Sequence, residues 1–297
     1  MSTFTVTSKI ATFGGTLLKL THQSAVLSNE AAVNVFFPPG AYDNESSSSS
    51  EQVKVPVLFH LAGLTCTPDN GAEKGFFNYW AAKYGIAVVY PDTSARGSNH
   101  PGEHDAYDFG SAAGFYLDAT AEPWSKNYKM ESYVTEELPT SLFSFFPTLD
   151  GSRVSLTGHS MGGHGALSLF LKHPDKYKST SAFAPIANPS NSAWGQKAFA
   201  GYLKDKTEWS QHDSTELLKA YDAGRPSLDI LITVGLADNF YQAGQLLIEN
   251  FEAAAKEVGR EHEIKVNKVA GYDHGYYFVS SFSEDHVKHA AKHLGVL

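Results

Sequence analysis

A single cysteine, Cys66, stands in 297 residues, so no disulfide can close within the chain and a reducing compartment is expected. Basic residues are few: 23 Lys and Arg against 32 Asp and Glu leave a formal charge of −9, with no basic run. That balance argues against nucleic acid or an anionic membrane as a partner. No apolar run reaches the roughly 18 residues that a membrane helix needs, so no span is expected. Met1 to Ile10 lack the charged-then-apolar profile of a secretory signal, and Leu294-Gly295-Val296-Leu297 is no peroxisomal address. A cytoplasmic protein is the expectation, in which the sequon Asn44-Glu45-Ser46 is idle.

What is present is apolar material for a core: 42% hydrophobic and 13% aromatic residues. Phe4–Ile10, Thr16–Leu20 and Val33–Phe37 read as three N-terminal strands, antiparallel because short turns join them. Residues 43–52 include five consecutive serines, cannot bury a core, and are expected to form a mobile loop. From Val55 onward strands and helices alternate. Strands are expected at Val55–Leu61, Ile86–Tyr90, Val154–Thr157, Ser181–Ala184, Ile230–Val234 and Ile264–Val269. Helices are expected at Ala72–Tyr84, Glu131–Phe146, His164–Lys172, Ala243–Val258 and His286–Leu294. This alternation implies a mainly parallel sheet covered on both faces, an α/β architecture. With no internal repeat and no second compositional regime, one domain is expected over residues 1–297.

The chemistry centres on Gly158-His159-Ser160-Met161-Gly162, a G-x-S-x-G pentapeptide with a strand before it and a helix after it. In that context the chain turns sharply and exposes the Ser160 hydroxyl at the strand's C-terminal end, opposite a helix N-terminus. A phosphate-binding glycine loop is the weaker alternative, because no Lys-Ser or Lys-Thr follows. A serine nucleophile needs a base and an orienting acid, in the chain order Ser, Asp or Glu, His. Asp238 follows the strand Ile230–Val234, and His274 follows Ile264–Val269, so both fall where the order requires. Asp273 is the competing acid, adjacent to His274 and poorly placed for the ring's far nitrogen. Of the other histidines, His164, His173, His286, His289 and His293 fall on expected helices and read mostly as solvated or capping. The side chain of His159 is expected to point away from the serine.

An oxyanion hole needs two N–H groups, and the candidates are Met161, after the nucleophile, and Leu64, in the loop that Gly63 allows to turn. Cys66, in the same loop, reads as a small buried apolar residue. His100 and His104 invite a metal reading, but Pro101-Gly102 between them precludes the helix that would align them, so no metal site is expected.

Several stretches are more specific than the pentapeptide: Phe59–Asn70 (FHLAGLTCTPDN), Pro91–Ser94, Asp108–Leu117 (DFGSAAGFYL), Gly158–Gly163, Ser181–Ile186, Asn188–Asn191, Trp194–Phe199 and Gly271–Phe278 (GYDHGYYF). Over nearly its full length the chain resembles the S-formylglutathione hydrolases, the esterase D group of the α/β-hydrolases. The resemblance implies a triad at Ser160, Asp238 and His274, an oxyanion hole from the backbone of Leu64 and Met161, and an acyl-side wall that includes Trp194. It further implies a cytoplasmic homodimer that needs no cofactor and releases formate and glutathione in formaldehyde detoxification. Ala95 and Tyr107 stand where the family commonly has proline and tryptophan, and the serine tract is an insertion. A broad carboxylesterase or acyltransferase using the same triad is the alternative, since the fold does not choose the acyl acceptor. Lys74 and Arg96 are the candidate local donors for glutathione's carboxylates.

Overall fold

The computed structural model describes residues 3–42, 54–221, 224 and 226–297; the serine tract lies outside the described residues. Nine strands form one sheet: β1 (Thr5–Thr12), β2 (Gly15–Ser24), β3 (Asn29–Phe37), β4 (Val55–Leu61), β5 (Ala87–Pro91), β6 (Leu149–His159), β7 (Thr180–Phe183), β8 (Ile230–Gly235) and β9 (Ile264–Val269). Their spatial order is β1-β2-β3-β5-β4-β6-β7-β8-β9. The first three form an antiparallel meander joined to β5 by an antiparallel pair; β5 to β9 are parallel throughout.

The central strands show the burial expected of a sheet covered on both faces. β5, β7 and β8 are buried at every position, and β4 at all but Val55. Order and connectivity together place the functional edge. The chain leaves β4 toward β5 on one side and leaves β6 toward β7 on the other, although β4 and β6 are neighbours. Loops diverge from that point at the C-terminal ends of the strands and leave a crevice between them, where open α/β sheets bind ligands.

Two expected helices are divided. Ala72–Tyr84 is two helices, Pro68–Lys74 and Phe77–Tyr84. The first starts at a capping box built on Thr67, and Phe76, at φ 62°, breaks the path between them. Ala243–Val258 is reduced to Ile248–Glu257, because Gly244 and Leu247 both take left-handed backbone. The C-terminal helix runs the other way, beginning ten residues earlier than expected, at Tyr276–His293. A helix at Ala193–Tyr202, capped by the Ser192 side chain, had no apolar period strong enough to announce it.

Candidate active site

The turn after β6 places Ser160 at φ 59°, ψ −118°, a conformation rare for a residue with a Cβ. Three backbone bonds hold it there. The Ser160 N–H donates to Phe183 O at 2.9 Å, and its carbonyl accepts from His164 N at 3.0 Å and Ile186 N at 3.3 Å. Close approach explains the flanking glycine: a Cβ on Gly162 would lie 1.9 Å from Leu61 O, inside the end of β4. Met161 opens the helix Met161–Lys172, so its N–H has no intrahelical partner and faces outward beside the serine.

The loop after β4 meets the same point. A Cβ on Gly63 would lie 3.1 Å from Ser160 Cβ, so only glycine gives this contact without displacing a neighbour. The loop's other polar groups are committed. Ala62 O accepts from the Tyr116 hydroxyl at 2.9 Å, and Thr65 N donates to Ala112 O at 3.0 Å. Cys66 O accepts from Thr93 Oγ1 at 2.7 Å and Arg96 Nη2 at 2.9 Å. The Leu64 N–H takes no partner among the described residues. A loop fastened on both sides of one free donor is what preorganisation requires.

Asp238 and His274 stand at the ends of β8 and β9. Asp238 is fully buried and caps the helix Asn239–Gln242, with Oδ1 accepting from Phe240 N at 2.7 Å and Tyr241 N at 3.2 Å. Its other oxygen lies 2.5 Å from His274 Nδ1. Asp273 is occupied elsewhere, accepting from Gly275 N at 2.9 Å. Ser160 and His274 line one cavity of about 240 Å³ together with Gly63, Leu64, Thr65 and Cys66. No hydrogen bond joins the serine hydroxyl to the imidazole in this state; such bonds commonly tighten only when substrate is bound.

The far wall is aromatic. Trp194 packs against Phe240 with ring centroids 4.6 Å apart, and Phe240 meets His274 edge-on at 4.9 Å. The Trp194 indole N–H donates to the Tyr107 hydroxyl at 3.1 Å. Cys66 is buried in the loop wall, and burial pushes its thiol pKa up.

Three expectations need correction. His159 does not point away: its ring lines the cavity and sits 4.6 Å from the His274 ring. Burial holds it neutral. His164 and His286 are buried, not solvated: His164 packs against Phe115 and Phe199, and His286 stacks on Phe183 of β7. Arg96 is not a free anion donor, since it is spent on Asp92 at 2.6 Å and on Cys66 O. Phe240 was missed as a lining residue, and Tyr107 was singled out only as a departure from the family pattern in a loop near the substrate entrance. Phe240 had a signal, standing two residues after Asp238, whereas Tyr107 comes from an irregular segment with no period to read.

This fold, with a serine elbow facing a histidine–carboxylate pair, defines an esterase of the α/β-hydrolase class. The sequence profile of the esterase family matches residues 24–289. The chain is 47% identical to the S-formylglutathione hydrolase of Mus musculus and 48% to that of Arabidopsis thaliana, over 95% of its own length and of each relative. The solved structure of an S-formylglutathione hydrolase from Agrobacterium tumefaciens superposes with a TM-score of 0.89 at 42% identity, covering 98% of this chain and 99% of that one. A fluorophosphonate-binding serine hydrolase of Staphylococcus aureus shares the fold at a TM-score of 0.70 and 18% identity, over 93% and 98% of the two chains. The chain belongs to the S-formylglutathione hydrolase family of esterases.

Proposed function

We propose that the protein hydrolyses S-formylglutathione to formate and glutathione through a formyl ester on Ser160. Ser160 Oγ attacks the formyl carbon while the His274 ring takes its proton, and Asp238 holds the ring's tautomer and stabilises the imidazolium. The oxyanion that forms is met by the N–H groups of Leu64 and Met161. Collapse breaks the C–S bond, and the glutathione sulfur leaves with the proton from His274. Water, deprotonated by the same ring, then attacks the formyl ester; the C–Oγ bond breaks, formate departs, and Ser160 regains its proton. Every proton moves through His274, so no cofactor is required.

The observation that carries this reading is the 2.5 Å contact from Asp238 to His274, in a cavity shared with Ser160, in a chain 42–48% identical to hydrolases of that name. The cavity's size supports a small acyl group. The family relationship and the single cysteine favour a cytoplasmic homodimer, and no helix among the described residues is long and apolar enough to cross a membrane. We take residues 1–297 as one catalytic domain built on the single sheet.

Comparing kcat/KM for S-formylglutathione with values for acetyl and butyryl aryl esters tests the assignment. The formyl thioester should be preferred by at least about tenfold per added methylene. A preference for butyryl aryl esters would instead assign a general carboxylesterase.

A further inference from the structure

At the opposite end of the sheet from Ser160 lies a second cluster with chemistry of its own. Asp229 immediately precedes β8, and His289 and His293 stand four residues apart in the last turns of the helix Tyr276–His293. That spacing puts both rings on one face of the helix. The three side chains offer ligand atoms that all lie within 4.8 Å of one another. The ring centroids are 4.9 Å apart.

Two features of these atoms are poorly explained by packing alone. Nε2 of His289 and Nε2 of His293 are both buried without a hydrogen-bond partner among the described residues. His293 Nε2 is nevertheless 2.9 Å from Asp229 Oδ2, close but not aligned as a hydrogen bond. Unpartnered imidazole nitrogens facing a carboxylate oxygen form a donor set that a cation completes. Asp229 itself is held at φ 41°, left-handed backbone that aspartate tolerates better than most residues.

We propose that Asp229, His289 and His293 bind a divalent transition-metal ion of the zinc class, a site remote from catalysis. Two imidazoles and a carboxylate are a zinc-type donor set, with room for water as the fourth ligand. Tetrahedral coordination at ordinary bond lengths separates ligands by about 3.3 Å, so the 4.8 Å limit closes with a small side-chain rotation. The site sits at the C-terminal end of an 18-residue helix, the end that favours a cation. Lys292 Nζ is the competing charge, 3.7 Å from Asp229 Oδ2, but its side chain is 70% exposed and free to swing into solvent. Lys265, Lys288 and Asp285 line the same hollow. Since Tyr276 begins the helix near the active site, at about 1.5 Å per residue the two sites are more than about 20 Å apart.

Calorimetric titration of the full untagged chain with Zn²⁺ tests this, alongside Asp229→Asn and His293→Ala. Wild type should show one saturable site that each variant weakens at least about tenfold, while ester hydrolysis in metal-free buffer is unchanged. Co²⁺ should give visible ligand-field bands without the near-ultraviolet charge transfer of a thiolate, excluding Cys66 as the ligand. Asp229→Asn is nearly isosteric at a half-exposed position, so it remains decisive if His293→Ala folds poorly. Absence of saturable Zn²⁺ binding, or binding untouched by either substitution, would overturn the proposal and leave Asp229 and His293 as an ordinary ion pair.

Discussion

The Trp194 indole N–H donates to the Tyr107 hydroxyl at 3.1 Å, tying a helix to an irregular loop 87 residues earlier at the cavity that Ser160 and His274 line. Trp194 is nearly buried while Tyr107 is 58% exposed, so the tyrosine acts as an outer brace on an inner wall. Trp194→Ala should therefore enlarge the acyl side. Rates with acetyl and propionyl thioesters should rise relative to formyl by about 10-fold or more per methylene. An acyl-length profile identical to wild type would remove Trp194 from the pocket. Tyr107→Phe, which keeps the ring and loses the bond, should shift the same profile in the same direction by a smaller amount.

Asp238→Asn should lower kcat by about 10⁴-fold with little change in KM, because the amide cannot hold the productive tautomer or stabilise the imidazolium. Asp273→Asn is the control. Among the described residues its carboxylate accepts only from the nearby Gly275 N–H, so the rate should stay within a few-fold of wild type. Loss of activity in Asp273→Asn with retention in Asp238→Asn would reverse the assignment.

Cys66 should report on the Leu64 loop without taking part in chemistry. Burial raises its thiol pKa, so alkylation by N-ethylmaleimide should be slow at neutral pH and quicken as pH rises. The adduct should inactivate, since it fills the cavity and displaces a loop where about 1 Å matters by about 10²-fold. Cys66→Ser should retain most activity and resist the reagent. An inactive but folded Cys66→Ser would mean that the thiol itself takes part.

Buried neutral histidines set the acid limit of stability. Burial lowers His60 and His164 to about 3 from 6.5, so the unfolded chain takes up their protons first as pH falls. Their contribution is complete above pH 6.5 and is lost progressively down toward 3, at about 1.4 kcal/mol per pH unit for each ring. Glu131 is lowered to about 2; burial acts against this shift, and it is outweighed by bonds and charges from His173 and Lys172. Its share therefore persists to lower pH than that of the histidines. Urea unfolding followed by tryptophan fluorescence should show stability falling from pH 6.5 to 5. His60→Leu should flatten that slope by about one ring's worth, and a slope that did not change would contradict the burial argument.

Much of this was legible because the informative elements are strands of one parallel run in the sheet. Val55–Leu61 and Ile264–Val269 read as strands with the ends they have, so the residues just past them, Leu64 and His274, could be set at one edge. The elbow was legible because Gly158 is dictated by a local backbone contact, a Cβ there lying 2.0 Å from Gly162 O. What failed depended on tertiary placement. The direction of the His159 ring follows from the packing of His274 and Tyr276 around it, not from its neighbours in sequence. Tyr107 lies in a segment whose shape comes from hydrogen bonds to distant residues, such as Gly110 N to Tyr202 at 2.7 Å. The breaks at Phe76 and Leu247 require left-handed backbone at residues with no intrinsic preference for it.

The most direct test of the central claim is S-formylglutathione hydrolysis by Ser160→Ala, followed by loss of thioester absorbance beside wild type. The hydroxyl adds little to the core, so the variant should fold and bind substrate. Its kcat should fall by about 10³- to 10⁶-fold, to what binding and the oxyanion donors alone provide. A folded Ser160→Ala enzyme retaining even about a tenth of wild-type turnover would contradict a formyl-serine mechanism.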